Sequence, residues 1–150
     1  MLRVIGLGNI LRGDDGIGPQ AVQILQDRYR SEFSEISDAG SDPFSILEKL
    51  VENKPVLVID CARMGLAPGS IKRFVPGEAE FDTAADGLSL HGFNLAEVWQ
   101  MAKAMGTDAD LIIVGVQPDK VEFNTGLSRA VQDRLPTIVK MVREEAKKYA

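Results

Sequence analysis

Scarcity sets the first limits on this chain of 150 residues. It has a single cysteine, Cys61, so an internal disulfide is impossible, a cysteine-rich zinc site cannot be built, and a reducing cytoplasm is the expected compartment. It has a single histidine, His91, which removes every site made from two or three imidazoles, the His-Glu-x-x-His zinc peptidases among them. Nowhere do about eighteen apolar residues run together, so no membrane span is expected. The apolar opening from Met1 to Gly8 is too short for a signal segment and runs into Asn9, Arg12, Asp14 and Asp15, so it reads as a strand. No five like charges stand together, and 22 Asp+Glu against 17 Lys+Arg give a net charge of −5. A polybasic membrane anchor and a binder of nucleic-acid backbones are thereby disfavoured.

What is present is a globular balance, 45% hydrophobic and 26% charged, at a length that fits one domain, 1–150, with its own core. Continuous apolar runs at Val4 to Leu7, Pro55 to Ile59 and Leu111 to Val116 suit parallel strands buried on both faces. Glu35 to Asp38 is a weaker strand, and the alternation of Ser70 to Val75 fits a half-exposed edge. Helical stripes lie between them. Ala21, Val22, Leu25 and Tyr29 form the first, just after the Asp14-Asp15 loop. Ile46, Leu47, Leu50 and Val51 form the second, behind an Asp42-Pro43 cap, and Leu95, Val98, Trp99 and Ala102 the third. The last helix spans about Leu127 to Tyr149, with Pro136 kinking or splitting it. This order predicts an α/β fold: a single three-layer domain whose mostly parallel, twisted, five-stranded sheet carries helices on both faces. Pro76 to Leu90 has no periodicity and holds Glu78, Glu80, Asp82 and Asp86, the mark of a long functional or mobile loop.

In an open parallel sheet, ligands bind beyond the carboxyl ends of the strands. Asp15 follows the first strand, Asp60 ends the third, and the long loop after the fourth delivers His91. Each has a plainer role open to it: Asp14 and Asp15 beside a helix dipole, Asp60 turning the backbone, His91 capping a helix. Together, two carboxylates and an imidazole suit a divalent ion such as nickel, zinc, manganese or iron, with coordination positions left for water or substrate. Asp14 is expected to point elsewhere in an extended loop, with a milder effect when changed. Other chemistries fit poorly. Gly6-x-Gly8 starts like a dinucleotide loop, but Leu11 stands where the third glycine belongs, and Asp14 and Asp15 would face the pyrophosphate. No phosphate-binding P-loop and no Gly-x-Ser-x-Gly occurs, and Cys61 reads as a small buried residue.

Gly6-Leu7-Gly8-Asn9-Ile10-Leu11-Arg12-Gly13-Asp14-Asp15-Gly16-Ile17-Gly18, Val58-Ile59-Asp60, Ser89-Leu90-His91 and Val114-Gly115-Val116-Gln117-Pro118, in that order, resemble the hydrogenase maturation endopeptidases. Gly13 to Pro19, Met64 to Gly69 and Gln117-Pro118-Asp119 are most similar to the branch that processes formate-hydrogenlyase type large subunits. The resemblance implies an aspartic-type, nickel-dependent endopeptidase that removes a C-terminal extension from the precursor of a nickel-iron hydrogenase large subunit. It implies Asp15, Asp60 and His91 as the metal-contacting trio, Asp15 and Asp60 as the catalytic carboxylates, and nickel that arrives already bound to the precursor. Loops around the rim, with Asn9, Gly40 and Gln117 as contact residues, are expected to grip that protein. A non-cleaving assembly chaperone, or a peptidase of similar fold with another protein substrate, are the rival readings. No nucleic-acid partner and no membrane insertion are expected.

Overall fold

The computed structural model describes residues 1–42, 44–76 and 95–150. The apolar runs become strands of one sheet: β1 (Arg3–Gly6), β2 (Glu35–Asp38), β3 (Val56–Cys61), β4 (Ile71–Phe74) and β5 (Leu111–Val116). Their order is β2-β1-β3-β5-β4, parallel throughout except that β4 runs antiparallel to β5. The helices are α1 (Ile17–Tyr29), α2 (Phe44–Val51), α3 (Leu95–Ala104), α4 (Arg129–Gln132) and α5 (Leu135–Lys147). A 3-10 turn, Gly13–Gly16, leads straight into α1.

Alternation along the strands sorts the core into two layers. Val4, Leu57, Ile59, Ile112 and Val114 pack with Ile17, Ala21, Leu25, Ile138 and Val142, so α1 and α5 cover one face. Ile5, Val58, Leu111 and Ile113 pack with Ile46, Leu50, Leu95, Val98 and Ala102, so α2 and α3 cover the other. That is the three-layer α/β arrangement the sequence pattern implies. Among the described residues no helix is long and apolar enough to cross a membrane.

Three details differ from expectation. Strand β3 runs through Asp60 to Cys61, with Asp60 paired to Gly115 of β5, so Asp60 belongs to the ladder and does not turn the chain. Because β4 is antiparallel, it ends at the edge opposite Asp60, and the segment after it sets out from there. After α3, Thr107 donates to the Leu50 carbonyl where α2 ends, so α3 ends at the amino edge and points its start toward the carboxyl edge. Val51 is exposed, since Ile46 and Leu50 alone fill the inward stripe of so short a helix. The last helix is split, as its proline foretells, with Pro136 in the first turn of α5, where its missing N–H costs nothing. Of the second helix cap, Asp42 accepts the Phe44 N–H at 3.0 Å; Pro43 lies outside the described residues.

Candidate active site

The end of β1 is threaded tightly through the centre of the molecule. Leu7 donates to the Ile59 carbonyl and Gly8 to that of Gly40, 2.7 Å away. Gly8 has φ +139°, and a Cβ there would stand 2.0 Å from the Asp15 carbonyl oxygen, so only glycine lets the chain pass the turn. The next residue, Asn9, donates its backbone N–H to Asp15 Oδ2 at 3.0 Å, while its own side chain accepts from Leu11. Backbone closure thus aims the Asp15 carboxylate from the turn toward the strand ends.

Asp14, Asp15 and Asp60 are all fully buried. Their surroundings separate them by role. Asp14 is saturated: Oδ2 accepts from the Asp119 and Lys120 backbone and the Ser128 hydroxyl, and Oδ1 from the Ser128 N–H. It sits in a 3-10 turn rather than the extended loop expected, with its carboxylate directed to the 119–128 segment. Asp60 is the opposite case, since neither carboxylate oxygen has a hydrogen-bond partner among the described residues. Burial, reinforced by the Asp15 charge and opposed only in part by the nearby Cys61 backbone N–H, which does not reach hydrogen-bond geometry, holds its carboxyl well above the usual carboxylate range. A buried acid without donors is costly in a fold that has no use for it. Its neighbour Cys61 is also buried, and burial together with the charges of Asp60, Asp15 and Asp14 pushes its thiol up, so a thiolate nucleophile is not on offer.

Asp15 and Asp60 supply hard oxygen donors suited to a divalent cation. Among the described residues no third His, Cys, Asp or Glu joins them in a metal-holding group. His91 and the segment from Gly77 to Leu90 lie outside the described residues. Gly40 takes φ +56° and faces open space at the rim, its N–H held by Asp38. Gln117 is half-buried, and its side-chain oxygen is committed to the Met64 and Leu66 N–H groups, so it fixes the Met64 to Gly69 loop. Two features escaped the sequence reading. Asp14 clamps a segment more than a hundred positions away, which leaves no local signature; Ile10, Leu11 and Phe123 are exposed beside the turn.

The chain matches the family model described as hydrogenase maturation protease over residues 19–145, a stretch that includes Asp60 and begins just after Asp15. It is 28% identical over 144 residues to the hydrogenase expression/formation protein HoxM of Azotobacter vinelandii, covering 94% of this chain and 70% of that one. It is 27% identical over 134 residues to the hydrogenase 3 maturation protease of Escherichia coli strain K12, covering 88% and 82%. The fold of the hydrogenase maturating endopeptidase HybD from E. coli superposes with a TM-score of 0.82 over 99% of this chain and 93% of that one, at 23% identity.

Proposed function

Given that the chain belongs to the hydrogenase maturation protease family, we propose that it is an aspartic-type endopeptidase that removes the C-terminal extension from the nickel-loaded precursor of a nickel-iron hydrogenase large subunit. The observation that carries this reading is the buried pair Asp15 and Asp60, with the Asp60 oxygens left without donors among the described residues. A polypeptide bearing a metal supplies what that pair lacks.

In this reading Asp15, Asp60 and His91 engage the metal that the precursor brings, and nickel is part of the substrate. The cation polarises the scissile carbonyl or a water molecule. Burial holds the Asp60 carboxyl above the usual carboxylate range, and a cation arriving beside it opposes that shift, because a nearby positive charge favours the ionised form. Asp15 orients the attacking water and takes its proton as the water oxygen bonds to the carbonyl carbon. When the C–N bond breaks, that proton passes to the leaving nitrogen. Two carboxylates and one imidazole are modest ligands, so an incomplete precursor without nickel binds poorly and escapes cleavage. Asn9, Gly40 and Gln117 line or shape the rim over which the precursor lies. The buried single thiol fits work in a reducing cytoplasm.

The test is a cleavage assay read by the mass of the large subunit, with precursor prepared with and without nickel. Only the nickel-loaded form loses its C-terminal peptide, and Asp15→Asn and His91→Ala abolish the loss. A stable complex without cleavage by the unaltered protein would instead establish the chaperone role, and equal cleavage of both precursors would remove nickel from recognition.

A further inference from the structure

Two loops beside Asp15 are fixed to each other with unusual care for segments that carry bare apolar side chains. Leu11 accepts from the Asn124 N–H at 2.9 Å, Gly13 donates to the Thr125 carbonyl at 3.1 Å, and Asp14 donates to that of Lys120 at 2.9 Å. Arg12 and Phe123 form an antiparallel bridge, and the Arg12 guanidinium lies over the Phe123 ring, 5.5 Å from its centroid. The resulting surface shows Ile10 at 58%, Leu11 at 59% and Phe123 at 68% exposure. Apolar groups held this rigidly in water gain nothing for the fold, while a partner that covers them recovers their burial without an ordering cost.

The charge in the middle says what kind of partner. Arg12 has no hydrogen bond or ion pair from its side chain among the described residues, and its Nε is shielded from water without an acceptor. In a chain of net charge −5 it is a cation set against the Phe123 ring with no carboxylate partner among the described residues. A second copy of the chain in a two-fold contact would set Arg12 near its own equivalent, which disfavours self-association. One cation is also too little for an anionic membrane.

We propose that Ile10, Leu11, Arg12 and Phe123 form a preformed docking platform for the protein substrate, gripping an extended segment that carries a bulky apolar side chain next to a carboxylate. The platform is continuous with the candidate site, since Asn9 links the two: its N–H holds Asp15 and its side chain holds Leu11. The inference rests on the processing function proposed above and adds the residues that select the substrate.

The experiment compares the unaltered protein, Leu11→Ser/Phe123→Ser, Arg12→Gln and, as control, Met105→Ser at the far end of α3, where Met105 is 66% exposed. Steady-state cleavage of nickel-loaded precursor is measured alongside thermal melting. The platform variants are expected to raise KM about tenfold with kcat and Tm unchanged, the loss typical of truncated interface anchors, while the control matches the unaltered protein. Unchanged KM in the platform variants, with the unaltered protein active, overturns the platform and leaves the processing function standing. No cleavage by the unaltered protein overturns both. Equal KM increases in the control and the platform variants also overturn the platform, because they mark a general surface effect.

Discussion

The Asp14 carboxylate holds Ser128 at two points, accepting its backbone N–H at 2.6 Å and its hydroxyl at 2.8 Å. The same carboxylate receives the Asp119 and Lys120 N–H groups, so a buried negative charge is spread over four donors. One residue further on, Asp15 is paired with Asp60, whose oxygens have no hydrogen-bond donor among the described residues. Adjacent aspartates of the same turn therefore differ in role: Asp14 ties the scaffold together, and Asp15 is the one to which the proposed function gives chemistry.

Asp14→Ala strips the acceptor from four converging donors and should cost about 3 kcal/mol or more, since each orphaned buried group loses both its bond and its hydration. Asp14→Asn keeps one oxygen but turns an N–H toward donors, so an intermediate loss is expected. Urea unfolding measures both. A loss below the usual surface-mutation range in Asp14→Ala would show that the clamp does not hold the 119–128 segment.

Asp60 links stability to pH with a definite sign. Its carboxyl is raised in the folded state relative to the ordinary value of 3.8, so the folded protein binds the extra proton. Stability from that source is complete below the unfolded value and declines as pH rises through the interval up to the folded one. Asp60→Asn removes the titration while keeping the shape. Without metal, the variant should melt a few degrees above the unaltered protein at neutral pH, with the gap closing toward pH 3.8. Melting curves across that range decide it, and a gap that widens in acid would reverse the assignment.

Much of the scaffold was legible because burial on both faces leaves a plain trace in sequence. Val56 to Ile59 and Leu111 to Val116 are apolar at every position and proved central, parallel and fully buried. The direction of β4 was not legible: Ile71 and Val75 pack on one core and Phe74 on the other whichever way the strand runs. Asp60 stood out as the polar residue at the end of an apolar run, and its burial without donors among the described residues explains why it is informative. Asp14 was set apart from Asp15 as the residue that points elsewhere, but what holds it, a contact with Ser128, is encoded in no local pattern. Ile10 and Leu11 lie just past the apolar opening of Met1 to Gly8, and nothing in the local pattern marks them as exposed rather than core.

Helix α1 leaves the turn in direct contact with the sheet, and Gly18 is the point of contact. A Cβ there would stand 2.5 Å from the carbonyl oxygens of both Leu7 and Ile59, backbone atoms that cannot swing away. Gly6 faces it from β1, where a Cβ would come within 2.6 Å of the Gly18 oxygen. Gly18→Ala is expected to push α1 off the strand ends, costing about 2 kcal/mol by overpacking and displacing the Asp15 turn. Cleavage should fall more than stability accounts for, measured below the melting transition. Full activity with native stability would mean that α1 can shift without moving Asp15.

On the opposite side of the molecule, Arg73 of β4 pairs with Glu145 of α5 through two nitrogens, with Lys148 as a further partner at 3.2 Å. Burial by itself would raise the Glu145 carboxyl, but the hydrogen bonds from Arg73 and Lys148 outweigh it and hold the group below its usual value. A lowered carboxyl contributes stability above the unfolded value, and that contribution is lost as pH falls toward the folded one. Arg73→Met leaves Glu145 buried beside Lys148 alone. The expected cost at neutral pH is about 2 kcal/mol, less than for a fully buried pair, because Arg73 is 39% exposed and water screens it. Arg73→Met/Glu145→Leu should recover most of that loss, since two apolar side chains can replace the pair between β4 and α5. It should also flatten the acid limb of the stability curve. If the double variant is as unstable as the single one, the pair fixes the angle of α5 on the sheet and an apolar contact cannot take its place.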